Sequence, residues 1–65
     1  MTVQVNGQQV SLEVQTLEEL VDHYQLDHEL VVTEVDGAII AKEERSSTKI
    51  ADGMKIELVH FVGGG

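Results

Sequence analysis

Apolar and polar residues alternate along the first part of the chain, as they do in a half-buried strand. The alternating apolar positions are Val3, Val5, Val10, Leu12 and Val14. Between the two runs lies Asn6-Gly7, a pair that accepts the positive φ angles of a type I′ turn. With this pair as the loop, Val5 faces Gln8 and Val3 faces Val10, and all the apolar residues share one face. The pattern predicts a β-hairpin.

The next segment, TLEELVDHYQ, changes to the period of a helix. Its apolar stripe has the spacing i, i+3, i+4 and i+7 and consists of Leu17, Leu20, Val21 and Tyr24. Thr16 and Glu19 form a capping-box pattern, and the acidic first turn suits the positive end of the helix dipole. A helix of about nine residues is too short to persist alone in water. We therefore expect its stripe to pack on the sheet.

The second half of the chain predicts three more strands. LVVTEVDGAIIA is a hairpin with Asp36-Gly37 as its turn, although its faces are unassigned because Leu30, Val31 and Val32 run together. The polar segment KEERSSTK is expected to be a loop, and a turn at Asp52-Gly53 precedes the last strand. In that strand Met54, Ile56 and Leu58 share the helix side, whereas Lys55, Glu57, Val59 and Phe61 share the other side.

This order, β-β-α-β-β-β, predicts an α+β fold in which one helix packs across one face of a mixed sheet. The chain length allows a single domain, which we expect at residues 1–62 with a flexible glycine tail at 63–65. Twelve acidic residues against four basic ones give a formal net charge of −8. Such a surface disfavours nucleic acid and suits a basic face on another protein.

Candidates for independent catalysis are few. The chain has no cysteine, and His23 and His28 lack the i, i+4 spacing that directs two imidazoles at one metal. These two and His60 are interpreted as surface or boundary residues, and Ser46 to Thr48 have no base nearby in sequence. We therefore expect neither an enzyme nor a bound cofactor or metal. No segment reads as a membrane span or signal peptide, and the missing disulfides fit a cytoplasmic protein.

The glycines Gly63, Gly64 and Gly65 follow the last strand without a spacer. Glycines could enter a channel too narrow for any other residue. The α-carboxylate of Gly65 is ionised and becomes electrophilic only as a mixed anhydride, such as one with AMP, shielded from water. The alternative is an idle, frayed terminus. Val59 and Phe61, on the outer face just before the tail, are the candidates for docking a partner.

The sequence as a whole resembles a known family. The hairpin with VNG, the helix TLEELV, the strand VDGAIIA, the ADG turn and the final Gly-Gly are similar to the small sulfur carriers of the ubiquitin-like β-grasp fold. The length and the ending VHFVGGG resemble most closely the ThiS-type carriers of thiamin biosynthesis. Met54 departs from the family, which often has an acidic residue after DG.

The resemblance implies a function in which partners do the chemistry. A ubiquitin-activating-like adenylyltransferase would use ATP and Mg²⁺ to adenylate Gly65, and a persulfide on a sulfur donor would then yield a thiocarboxylate. A thiazole synthase would take the sulfur for the thiazole ring of thiamin. Three alternatives stay open: the small subunit of molybdopterin synthase, a modifier conjugated to lysines, and a plain interaction module with idle glycines.

Overall fold

The computed structural model describes residues 1–61. It contains five strands and one α-helix in the predicted order, with one additional 3₁₀ helix. The strands are β1 (Thr2–Val5), β2 (Gln8–Ser11), β3 (Val31–Val35), β4 (Ala38–Ile40) and β5 (Lys55–His60); helix α1 spans Leu17–His23, and the 3₁₀ helix spans Lys42–Ser47. None of the helices in this part of the chain is long and apolar enough to cross a membrane.

The strands form one mixed sheet in the order β2-β1-β5-β3-β4. The last strand, β5, lies in the centre, parallel to β1 and antiparallel to β3. The first hairpin has the predicted register, because Val3 pairs with Val10 and Val5 pairs with Gln8. Its turn residue Asn6 has a φ of 51°, as a type I′ turn requires.

The core lies between α1 and one face of the sheet. Its buried apolar residues are Val3, Val5, Leu12, Leu17, Leu20, Val21, Val31, Ile50, Ile56 and Leu58. Ile56 and Leu58 therefore face the helix, as predicted, and Met54 packs at the edge of the same cluster. We call the opposite side of the sheet the outer face.

The start of α1 is capped nearly as the sequence predicts. The amide of Glu19 donates to Oγ1 of Thr16 at 3.2 Å, whereas the carboxylate of Glu19 accepts from the amide of Gln15 at 3.0 Å. The return bond of the capping box thus reaches one residue further back than the pattern implies. Both bonds satisfy backbone donors at the start of a helix only seven residues long.

A buried polar residue shows which face of β3 points to the core. Thr33 is completely buried between the inward-facing Val31 and Val35, and its hydroxyl donates to the carbonyl of Ile40 at 2.9 Å. Val32 points to the outer face, because it pairs with Val59 in the register of β3 and β5. The apolar run therefore contains residues from both faces, and hydropathy alone does not reveal the alternation.

The predicted loop at 42–49 is wrong in part. Lys42–Ser47 forms a 3₁₀ helix that packs near α1, and its Arg45 is buried. The segment has no apolar stripe, and the side chain of Arg45 instead connects it to the sheet by hydrogen bonds to Thr33 and to the carbonyls of His28 and Val31. At its exposed start, Lys42 pairs with Glu29. The hydrogen bond to this carboxylate and the attraction between the two charges raise the pKa of Lys42.

Candidate functional site

The end of β5 is the part of the described chain that leads into the glycine segment. The amide of Phe61 donates to the carbonyl of Leu30 at 2.7 Å, so the pairing with the β3 side continues to the last described residue. On the other side, β1 stops at Val5. Beyond that point the side chain of Asn6, in place of a strand backbone, makes the hydrogen bonds to β5. Its Oδ1 accepts from the amide of Leu58 at 2.8 Å, and its Nδ2 donates to the carbonyl of Leu58 at 3.2 Å.

Asn6 therefore has two structural roles: it forms the turn between β1 and β2, and its side chain binds β5. The Asn-Gly pair predicts its tolerance of a positive φ but gives no sign of its contact with β5. The side-chain amide presents one acceptor and one donor, the same pair of groups as a peptide unit. Asn6 thus extends the parallel ladder past the end of β1 and fixes β5 three residues before Phe61.

An exposed apolar patch borders this end of the strand. Val59 is 50% exposed and Phe61 is 56% exposed, as expected from their position on the outer face. The register adds Val32, which lies directly opposite Val59. We call Val32, Val59 and Phe61 the outer patch. The sequence does not predict Val32 as part of this patch, because the run of Leu30, Val31 and Val32 does not show which residues face outward.

Acidic side chains border the outer patch on the same face. Glu34 pairs with Glu57 in the row next to Val32 and Val59, and both carboxylates line a shallow depression with Asp36 and Lys55. The exposed Ile39 lies opposite Glu34 on β4. An apolar centre beside carboxylates is suited to a protein surface with an apolar pocket and basic neighbours.

The three histidines are surface or boundary residues, as interpreted from the sequence. His23 stacks edge-on against Tyr24, with ring centroids 5.2 Å apart, and His28 contacts Asp22 at 2.7 Å. Nε2 of His60 accepts a hydrogen bond from the amide of Asp27 at 3.3 Å. Within residues 1–61 no three His, Asp or Glu side chains are grouped so that they could hold a metal ion.

The predicted acceptor Gly65 and the predicted threading residues Gly63 and Gly64 lie outside the described residues, as does the expected boundary between domain and tail. Their roles stay predictions, and so does the docking role of Val59 and Phe61. What the geometry provides is a central strand, bonded on both sides, that leads past an exposed apolar patch toward these glycines.

A mixed five-stranded sheet crossed by one helix, with its last strand in the centre, defines a ubiquitin-like β-grasp protein. The model of the ThiS family matches residues 3–65. The chain is 38% identical over 65 residues to the sulfur carrier protein ThiS of Bacillus subtilis, covering 97% of this chain and 98% of the relative.

Solved structures agree with the family match. A crystal structure of the thiamine biosynthesis protein ThiS from Geobacter metallireducens superposes with a TM-score of 0.84 at 28% identity, covering 100% of both chains. A solution structure of a thiamine biosynthesis protein from the same organism gives the same score and identity, covering 100% of this chain and 88% of the other. The chain belongs to the ThiS family, which confirms the resemblance seen in its sequence.

Proposed function

We propose that this chain carries sulfur for thiamin biosynthesis as a thiocarboxylate on Gly65. The observation that carries the proposal is the course of β5. This central strand remains hydrogen-bonded through Phe61 and leads past the outer patch into the glycine segment, in a chain whose family match extends to residue 65. The protein acts as a co-substrate of partner enzymes, and the described residues supply the surface by which those enzymes hold it.

The first step is activation of the Gly65 carboxylate. A carboxylate oxygen attacks the α-phosphorus of ATP, pyrophosphate leaves, and an acyl adenylate forms. An adenylyltransferase of the ubiquitin-activating type supplies the ATP site and Mg²⁺, which neutralises charge on the phosphates. The carrier contributes only the carboxylate and a segment slim enough to enter a site closed against water.

The second step replaces oxygen by sulfur. The terminal sulfur of a donor persulfide attacks the acyl carbon, AMP leaves with the bonding electron pair, and an acyl disulfide joins carrier and donor. A thiolate then attacks the donor-side sulfur, so that the thiol becomes part of a disulfide and the thiocarboxylate is released. A thiazole synthase accepts this sulfur for the thiazole ring. These reactions place the carrier in the cytoplasm, where ATP and reduced thiols occur together.

The domain must supply most of the affinity in these complexes. Fixing the backbone of one residue costs about 1–2 kcal/mol, so ordering three glycines costs several kcal/mol before any contact forms. Glycines bury little surface to offset that cost. The outer patch includes the last residues before the tail in the sequence, and it contains an aromatic residue, the type most often found at the energetic centre of an interface. We assign Val59 and Phe61 to docking, with Val32 as their neighbour.

The test is ATP–pyrophosphate exchange with a purified adenylyltransferase of the ubiquitin-activating type, followed by intact-mass analysis after a persulfide donor is added. The full chain should support exchange and gain the mass of a sulfur-for-oxygen replacement. Deleting Gly65, or adding one alanine after it, should abolish both results and leave the unfolding midpoint unchanged, because no described core residue lies beyond Leu58.

Two results would contradict the proposal. Undiminished exchange by the extended chain would show that Gly65 need not be the terminal residue. A stable isopeptide adduct on cellular proteins, without a free thiocarboxylate, would instead indicate a lysine-conjugated modifier.

A further inference from the structure

Arg45 is a buried charged residue, and among residues 1–61 it has no charged partner. Its side chain belongs to the 3₁₀ helix and is only 4% exposed. Nε donates to Oγ1 of Thr33 at 3.2 Å, and the two terminal nitrogens donate to the carbonyls of His28 at 3.0 Å and Val31 at 2.7 Å. Neither ion pair found within residues 1–61 includes Arg45.

Stability alone is a weak reason to place a guanidinium there. Arginine remains charged when buried, and removing that charge from water is costly unless hydrogen bonds compensate. A well-packed apolar side chain of similar volume often serves a buried site equally well. A guanidinium adds a rigid, planar set of donors that fixes several acceptors in one arrangement. Here those acceptors include two backbone positions of one short segment.

The segment held by Arg45 lies beyond the end of the edge strand β4. The pairing of β4 with β3 ends at Thr33 and Ile40, whereas β3 begins two residues earlier, at Val31. The guanidinium occupies the place of β4 beside Val31 and donates to the carbonyl that β4 would otherwise pair with. Arg45 therefore completes this edge of β3 as Asn6 completes the free edge of β5.

The opposite side of the same segment contacts His60 and Phe61, the last two described residues. We call residues 27–31 the β3 entry segment. The carbonyl of Leu30 accepts from the amide of Phe61 at 2.7 Å, and the amide of Asp27 donates to Nε2 of His60 at 3.3 Å. The segment thus lies between Arg45 and the last two described residues.

We propose that Arg45 is a positioning residue for sulfur carriage. By fixing the carbonyls of His28 and Val31, it holds Leu30 in the place where its carbonyl binds the amide of Phe61. This bond sets the direction in which the chain leaves the domain and the position of the aromatic ring on the outer patch. The inference rests on the proposed function and adds to it a buried residue that acts through the β3 entry segment.

The expected consequence is weaker docking with little change in the chemical step. If the entry segment loosens, the end of β5 adopts the competent position for only part of the time. The apparent affinity for a partner falls to that fraction of its intrinsic value. Once the carrier is bound, the adenylation site is unchanged. The KM for the carrier should therefore rise, and kcat should stay near its original value.

Two substitutions separate geometry from charge. Arg45→Lys keeps the positive charge but loses the planar fork, and Arg45→Met removes both. Lys42→Met is the matched control, because Lys42 lies in the same 3₁₀ helix but is exposed and pairs only with Glu29 among the described residues. If Arg45→Met fails to fold, Arg45→Lys carries the test.

The structural readout is amide hydrogen exchange of Phe61, compared with that of Gln4. The amide of Gln4 donates to the carbonyl of Met54 at 3.0 Å in the β1–β5 region, away from the entry segment. In Arg45→Lys we expect Phe61 to lose about tenfold more protection than Gln4, because the opening is local. Equal losses at both amides would mean that Arg45 only supports global stability and would overturn the inference.

The functional readout is the KM for the carrier in ATP–pyrophosphate exchange. We expect about a fivefold increase for Arg45→Lys, with kcat and the Lys42→Met control unchanged. An unchanged KM despite faster Phe61 exchange would overturn the positioning role. If the wild-type chain is not activated, the proposed function fails. In that case unchanged Phe61 exchange in Arg45→Lys would still overturn the inference on its own.

Discussion

Replacing Asn6 by glycine removes the two side-chain bonds that hold Leu58 and leaves the turn itself possible. Asn6 has a φ of 51°, a conformation that glycine adopts without strain, so the hairpin can keep its type I′ turn. The change deletes the bond from the Leu58 amide to Oδ1 and the bond from Nδ2 to the Leu58 carbonyl. The expected effect is a less stable β5 and a less stable domain.

The magnitude follows from a comparison with a second hairpin. Asp36 also has a positive φ, 49°, and its side chain accepts one bond, from the amide of Lys55 at 3.0 Å. Asp36→Gly therefore shares the backbone effects of a new glycine but loses one hydrogen bond where Asn6→Gly loses two. A bond between neutral groups contributes about 0.5–1.5 kcal/mol. The bond to the Asp36 carboxylate is charge-assisted, but it is exposed, so solvent screening keeps its contribution near that of one neutral bond. Asn6→Gly should be less stable than Asp36→Gly by about 1 kcal/mol, or about 4–8 °C in a domain of this size.

The assay is urea and thermal unfolding of both variants and the wild type, followed by circular dichroism. A small domain has only a few kcal/mol of stability, so measurements at low temperature keep the folded baseline visible. Equal midpoints for the two glycine variants, or a less stable Asp36→Gly, would refute the role assigned to the Asn6 side chain.

Two further predictions concern the tail and the outer patch. Gly64→Ala should unfold at the wild-type midpoint and lose most of its adenylation, because a Cβ would meet the wall of a narrow channel; activation at the wild-type rate would exclude such a channel. Phe61→Asp should also unfold near the wild-type midpoint, since the ring is 56% exposed, but should weaken the complex with the adenylyltransferase by about 2 kcal/mol or more. Ile39→Asp, a matched charge on the same face but on β4, should bind normally. A large loss of stability in Phe61→Asp, or unchanged affinity, would contradict the docking role.

Most of the architecture could be predicted because local signals agree with it. The Asn-Gly and Asp-Gly turns fix both hairpins, and the change from a two-residue to a helical period marks α1. The alternation in β5 also separates its buried residues from the outward Val59 and Phe61. Each of these signals involves residues close together in sequence, so a single amino-acid sequence is enough to recognise them.

The missed features are contacts between residues far apart in sequence. The sequence predicts a loop around Arg45 because a polar run gives no sign of burial. The acceptors that make its burial tolerable come from the entry segment and Thr33. The bond between Asn6 and Leu58 spans 52 positions and depends on β5 lying beside β1. Val32 joined the outer patch only when the register with β5 was known.

The position of β5 explains how a small domain can keep its C-terminal end available for a reaction. Chain termini usually fray, because the last residues have few partners. Here the last strand lies in the centre of the sheet, between β1 and β3, with Asn6 and Leu30 holding it where its neighbouring strands end. Leu58 is the last core residue in the sequence, so no core side chain among residues 1–61 comes closer to Gly65 along the chain. Exchanging oxygen for sulfur at Gly65 would therefore leave the packing of the domain untouched, and the same folded carrier could be loaded and unloaded repeatedly.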